Sequence, residues 1–160
     1  MDVTQLPFNR LIGLEPAAAD SGFLVGLPDG PQYTNHLGTV HAAALLAVAE
    51  AGSAALLLRH MGGATAGFVP VVRRLESKFR RPATGRVWAR ASVPPEEVAR
   101  WSAELEARGR VSAAVPVEVV DAAGSVVLSA VVEWFIARRS LDAEPAAAPD
   151  DLLPQGSRQR

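Results

Sequence analysis

The chain has 160 residues, which is enough for one domain with a sizeable core and little for two. Sixteen basic and seventeen acidic residues give a net charge of −1, so we expect no nucleic-acid or membrane partner, since both require a positive field. There are no cysteines, which excludes thiol nucleophiles and thiolate metal sites, and three scattered histidines predict no metal site.

The first thirty residues alternate short apolar pieces with turn formers, and they predict a short helix and a first strand. The start, MDVTQLPFNR, has neither the basic residues nor the apolar run of a secretory signal. We therefore expect a cytoplasmic protein.

A long apolar helix is predicted next, over residues 42–58, with Thr39 as its N-cap and Arg59 and His60 at its end. Its 17 residues include Glu50 and fall short of the roughly 20 apolar residues that a membrane span needs. Because the helix is apolar nearly all round, we expect other structure to enclose it.

Four later stretches are rich in β-branched residues or alternate apolar with polar residues, as strands do. They begin at residue 71 and lie further along at 86–93, 111–121 and 126–138. An amphipathic helix is predicted over 94–109, and a hairpin turn over 121–124. We assign one domain to residues 1–140 and a mobile tail to residues 141–160, which lack periodicity.

One enclosed helix and a mostly antiparallel sheet make an α+β fold, in which the sheet curves around the helix. Such a sheet leaves an edge strand and apolar surface that a second copy can cover. The sequence therefore predicts a homodimer or a dimer of dimers.

Glu50 is the residue that most needs an explanation, because its carboxylate lies within an apolar helix. Either it points out through a gap or pairs with an arginine such as Arg73, or it serves as a general base or nucleophile. The N-terminus of the same helix, near Ala42, offers backbone N–H groups for an oxyanion. Glu50 and Ala42 are ~12 Å apart along the helix, so two antiparallel copies are needed to bring them to one carbonyl.

The string Asn35-His-Leu-Gly-Thr-Val-His-Ala-Ala43, with Glu50 nine residues after His41, resembles the hotdog-fold acyl-CoA thioesterases. Their phenylacetate-pathway and 4-hydroxybenzoyl-CoA branch has the pattern N-x-x-G-T-x-H-G-G followed by Asp or Glu at the same distance. The turns at residues 79–85 and 121–124 are also similar. The resemblance covers about residues 10–138.

The resemblance implies that Glu50 is the catalytic carboxylate, acting as a nucleophile or as a base for water. Asn35 would hold the water or the substrate carbonyl, and the N–H of Ala42 would polarise the thioester oxygen. This chain has Ala42 and Ala43 where the pattern has two glycines, and each methyl group narrows the approach. His41 would orient the helix start by hydrogen bonding rather than act in catalysis.

Substrate binding is expected at four residues next to these groups: His41, Ala43, Arg80 and Arg81. The two arginines suit the phosphates of coenzyme A, although a solvated strand face explains them equally well. The implied substrate is an acyl-CoA or related thioester, with coenzyme A as part of that substrate and no other cofactor. The alternative is a non-catalytic acyl-CoA or acyl-lipid binding protein; a hotdog dehydratase is disfavoured, because no histidine accompanies Glu50 on the helix.

Overall fold

The computed structural model describes residues 2–61 and 67–138. The helices, besides two 3-10 turns at Val3–Gln5 and Pro31–Tyr33, are α1 (Pro7–Leu11), α2 (Ala42–Met61) and α3 (Pro95–Arg108). The strands are β1 (Glu15–Pro16), β2 (Val25–Leu27), β3 (Phe68–Phe79), β4 (Val87–Ala91), β5 (Arg110–Asp121) and β6 (Val126–Arg138). The predicted tail and the end of the predicted domain lie outside the described residues.

The strands form one antiparallel sheet in the order β1-β2-β4-β5-β6-β3. The four later strands and the α3 helix agree with the sequence prediction. The expectation of one early strand was wrong, because residues 15–27 supply two short strands that pair with each other. The predicted hairpin joins β5 to β6, where the Asp121 carboxylate accepts hydrogen bonds from the backbone N–H groups of Ala123 and Ser125.

The long helix α2 lies against β2, β4, β5 and β6, which confirms the prediction of an enclosed helix. Gly52 allows the close approach, since a Cβ there would overlap the methyl group of Ala89 on β4. The helix has 20 residues, and one 18-residue window has a mean hydropathy of 1.6, as a membrane span could have. Packing against the sheet accounts for that hydropathy, because the core of the protein is built on this helix.

The predicted cap of α2 was wrong. The helix begins at Ala42, and the imidazole Nδ1 of His41 accepts a hydrogen bond from the N–H of Ala43 at 3.0 Å, in the manner of an N-cap side chain. Thr39 instead bonds to Asn35 within the preceding loop. The expected hydrogen-bonding role of His41 at the helix start is therefore present.

Residues 2–12, here called the N-terminal segment, cover part of α2. The Asp2 carboxylate accepts hydrogen bonds from the N–H and the hydroxyl of Thr4, which holds the first 3-10 turn. The hydroxyl of Tyr33 donates to the carbonyl of Ile12 at 2.8 Å and fastens the end of the segment. Tyr33 thus holds the end of the segment to the rest of the fold, whereas the Asp2 bonds are internal to the segment.

Strand β3 is an edge of the sheet, and it pairs with β6 alone. Its 12 residues include several exposed apolar side chains, namely Val69, Val71, Val72 and Phe79. A long apolar edge strand is a template for pairing with another chain. This edge is therefore the surface that most needs cover.

Candidate active site

The start of α2 leaves one backbone donor unused. The N–H of Ala43 bonds to His41 Nδ1, and the N–H groups of Ala44 and Leu45 bond to the carbonyl of His41. In the described part of the chain, the N–H of Ala42 has no acceptor. A single free N–H at the positive end of a 20-residue helix can stabilise a developing oxyanion.

Asn35 shapes the loop that leads into this helix. Its Oδ1 accepts hydrogen bonds from the N–H groups of Leu37 and Thr39, and its Nδ2 donates to the hydroxyl of Thr39 at 2.9 Å. One hydrogen of Nδ2 has no partner among the described residues. Asn35 thus fixes its own loop and can still donate one hydrogen bond to a substrate oxygen.

Four of the predicted residues meet in one cavity of about 350 Å³, here called the helix-start cavity. These residues are Asn35, Ala42, Arg80 and Arg81. The guanidinium of Arg80 donates to the hydroxyl of Ser129 at 3.1 Å, and both arginines are exposed. The cavity therefore combines a free backbone N–H with two positive charges, which suits an anionic ligand.

Glu50 lies in a different cavity of about 440 Å³, here called the carboxylate cavity, between α2, β3 and the N-terminal segment. Its lining is mostly apolar: Val3, Leu6, Asn9, Ala54, Leu57, Leu58, Pro70, Val71, Val72 and Trp134. The carboxylate has no ion-pair partner among the described residues, and the guanidinium of Arg73 stacks on Phe135 instead, 4.6 Å from the ring centroid. Burial raises the pKa of the Glu50 carboxyl above its ordinary value, as a general base requires.

The backbone beneath Glu50 is held by a buried hydrogen-bond chain. The hydroxyl of Ser53 donates to the carbonyl of Glu50 at 2.7 Å and accepts a bond from the indole N–H of Trp134 at 3.0 Å. This chain joins α2 to β6 across the core. Ser53 itself does not line the carboxylate cavity, whose wall at the next position is Ala54.

The other two predicted binding residues, His41 and Ala43, border a third cavity of about 210 Å³ beside Phe8 and Ile12. The two alanines that replace the glycines of the pattern therefore face different cavities. Ala42 alone borders the helix-start cavity, so its methyl group alone narrows the approach to the free N–H.

The predicted site residues thus fall into separate places around α2 within one chain. Glu50 faces the carboxylate cavity, whereas Asn35, Ala42, Arg80 and Arg81 face the helix-start cavity. The sequence analysis did not single out Asn9 or Trp134, which line the carboxylate cavity. Only contacts across the fold identify them, because they are distant from Glu50 in sequence.

A larger open groove of about 750 Å³ lies on the sheet face opposite α2. It holds the half-exposed ion pair between Arg90 and Glu118 at 2.9 Å, together with the side chain of Lys78. Within residues 2–61 and 67–138, no cluster of three His, Asp or Glu side chains could hold a metal ion.

Residues 7–136 match a family model described as a domain of unknown function (DUF4442). The chain belongs to the DUF4442 family. No curated protein matches the chain.

Solved structures share the fold of this DUF4442 protein. A Pseudomonas aeruginosa protein of unknown function, described as "Probable Thioesterase", is 26% identical with a TM-score of 0.72, over 86% of this chain and 91% of that one. A thioesterase from Haemophilus influenzae is 14% identical with a TM-score of 0.62, over 85% and 86% of the two chains. A Bacillus halodurans protein solved with CoA is 21% identical with a TM-score of 0.61, over 81% and 74%.

The six-stranded antiparallel sheet on its central helix is the hotdog fold of the thioesterase superfamily, which confirms the predicted fold class. The narrower resemblance to the phenylacetate-pathway and 4-hydroxybenzoyl-CoA branch stays a prediction.

Proposed function

We propose that this DUF4442 protein is an acyl-CoA thioesterase. One observation carries the proposal: the Glu50 carboxylate lies in the wall of an apolar cavity that is large enough for an acyl group, and it has no ion-pair partner among the described residues. Burial without a counter-ion costs stability and raises the pKa of Glu50, and general-base chemistry is a reason to retain such a group. The thioesterase neighbours and the CoA bound to one of them support the same reaction.

In this reaction, Glu50 attacks the thioester carbon or takes a proton from an attacking water. The N–H of Ala42 and the amide of Asn35 stabilise the negative charge on the carbonyl oxygen, while Arg80 and Arg81 bind coenzyme A phosphates. The acyl group occupies the carboxylate cavity. Coenzyme A enters as part of the substrate.

We propose further that each active site combines two copies of the chain, because Glu50 and Ala42 of one copy face different cavities. Strand β3 borders both cavities: Pro70–Val72 line the carboxylate cavity, and Phe79 lines the helix-start cavity. An antiparallel pairing of two β3 edges about a two-fold axis therefore brings unlike cavities together.

The positions of the cavities along β3 also favour one register. Strand β3 has a bulge between Val72 and Arg74, so with Leu75 on the two-fold axis Pro70 lies opposite the partner's Phe79. The carboxylate cavity of one copy then adjoins the helix-start cavity of the other at both ends of the interface. The same pairing covers the exposed apolar side chains of the edge strand.

One observation favours a second function. The methyl group of Ala42 borders the helix-start cavity, where the family pattern has glycine, and it can hinder a thioester carbonyl from reaching the N–H. A protein so hindered would bind acyl-CoA or an acyl lipid without hydrolysing it.

Steady-state hydrolysis of short, long and aromatic acyl-CoAs, with binding measured by calorimetry in parallel, separates the two functions. Turnover that Glu50→Gln abolishes while binding persists is the result expected of a thioesterase. Binding without turnover of any thioester would establish the binding protein instead.

A further inference from the structure

The side chain of Asn9 is one of three buried polar side chains in the described part of the chain, and it is 4% exposed. The other two have clear structural partners: Thr4 bonds to Asp2, and Ser53 bonds to Trp134 and to the carbonyl of Glu50. Asn9 alone among them borders the carboxylate cavity.

Only one end of the Asn9 amide is used within the fold. Its Nδ2 donates to the carbonyl of Val3 at 2.8 Å, while its Oδ1 accepts no hydrogen bond from the described residues. Among those residues, only one side-chain polar atom is both inaccessible to solvent and without a hydrogen-bond partner, and it is the indole N–H of Trp101 rather than Asn9 Oδ1. Asn9 Oδ1 therefore still meets open space, and Asn9 lines the carboxylate cavity.

The path of the N-terminal segment places Asn9 beside the middle of α2, where Glu50 lies. Ile12 borders a cavity with residues of α2 between 43 and 47, whereas Val3 borders one with residues between 54 and 58. The segment therefore runs along α2 in the opposite direction, and Asn9 lies between these two points.

We propose that Asn9 Oδ1 and the Glu50 carboxylate hold the hydrolytic water between them. The inference rests on the proposed thioesterase function, and it selects the general-base route for Glu50. No direct hydrogen bond joins the two side chains in the described structure, and the cavity of about 440 Å³ that both line has room for a water. The rest of the cavity lining is mostly apolar, so these two acceptors are the polar side chains open to such a water.

This arrangement also aims the water. A water that donates both hydrogens to two acceptors directs its lone pairs away from them, toward the thioester carbon. The oxygen then bonds to that carbon while Glu50 takes one proton. When the carbon–sulfur bond breaks, the proton passes from Glu50 to the sulfur, which yields a carboxylic acid and the thiol of coenzyme A.

Replacement of Asn9 by alanine tests the role in catalysis. Asn9→Ala is expected to lower kcat about 10- to 100-fold with little change in KM, because the water loses its position but the substrate loses no contact. Asp2→Ala is the matched control, since it removes the hydrogen bonds to Thr4 that hold the same turn, and Asp2 does not line the cavity. It is expected to lower the thermal stability and leave kcat near the wild-type value.

The pH profile supplies a readout that a merely structural role would not move. Glu50 is the one titratable side chain that lines the carboxylate cavity in the described residues. Asn9→Asp places a second carboxylate one water away, and like-charge repulsion raises the pKa of the pair. The acidic limb of the kcat profile is expected to move to higher pH.

The outcomes separate this inference from the proposed function. If the wild type hydrolyses a thioester and Glu50→Gln does not, but Asn9→Ala keeps wild-type kcat or matches Asp2→Ala, the role of Asn9 is wrong and the thioesterase remains. An unmoved pH profile in Asn9→Asp would also overturn it. If the wild type hydrolyses no thioester, both proposals fall together.

Discussion

Replacing Ala42 by proline removes the candidate oxyanion donor and very little else. Ala42 is the first residue of α2, the position at which proline is most readily accepted in a helix. Its N–H makes no hydrogen bond in the described structure, so none is lost when the ring replaces it. The fixed φ of proline also suits the first helical residue. We therefore expect Ala42→Pro to fold with a Tm close to that of the wild type.

The effect on catalysis should be much larger than the effect on stability. Loss of one oxyanion donor typically lowers kcat by about 10²–10³, or roughly 2.7–4 kcal/mol of transition-state stabilisation. The assay is steady-state hydrolysis of the best acyl-CoA found in the panel, followed by release of the coenzyme A thiol. The chain has no cysteine of its own to react with a thiol reagent, so the signal comes from the released coenzyme A and not from the protein.

Glycine at the same position gives the opposite test. Ala42→Gly keeps the N–H and removes the methyl group from the helix-start cavity, so kcat/KM should rise. Ala43→Gly is the matched control, because that methyl group borders a different cavity and its removal costs a similar ~1 kcal/mol at most.

Full activity in a well-folded Ala42→Pro variant would refute the assignment of the Ala42 N–H as the oxyanion donor.

Three further predictions test the carboxylate, the dimer and the core. Glu50→Gln should raise the Tm at pH 7, because the raised pKa of Glu50 means that its ionised form destabilises the folded state. This gain in Tm should vanish as the pH falls below the ordinary pKa of glutamate, where the carboxyl is protonated in both the folded and the unfolded state. An unchanged Tm at every pH would contradict this prediction. In the proposed dimer with Leu75 on the two-fold axis, Leu75→Cys should form a disulfide-linked dimer on oxidation. Ser77→Cys should not, because its two copies lie about 13 Å apart in that register. A disulfide at position 77 alone would exclude the register. Ser53→Ala leaves the buried indole N–H of Trp134 unpaired and should lower the free energy of unfolding, measured in urea, by about 1–3 kcal/mol. Ser102→Ala on the surface of α3 is the control and should cost less. Equal losses in the two variants would refute the importance of the Ser53–Trp134 bond.

Periodicity in the sequence was sufficient to predict the long helix, α3 and the four later strands. Strands β3, β5 and β6 and the helix α3 have 12 to 14 residues each, the five residues of β4 alternate small apolar side chains with Trp88 and Arg90, and α2 is a long apolar run. The early strands and the helix cap were harder to predict. Strand β1 has two residues and carries no periodicity, and the cap depends on whether Thr39 turns toward the helix or toward Asn35.

Some residues of the candidate site could likewise be predicted from the sequence, and others could not. Glu50 stands out in sequence because a carboxylate interrupts an apolar helix, and Ala42 follows from where that helix begins. Asn9 gives no such signal, since an asparagine in a short helix is unremarkable until the fold lays it beside α2. Residues from distant segments meet only through tertiary packing, which a local pattern does not encode.

The central claim is that one active site uses Glu50 from one copy and the N–H of Ala42 from the other, and mixed dimers test it most directly. Glu50→Gln and Ala42→Pro, each inactive alone, are co-expressed with different tags, and the mixed dimer is isolated by tandem purification. It should contain one intact site of two and show about half of the wild-type turnover. A mixed dimer as inactive as its parents would contradict the shared site.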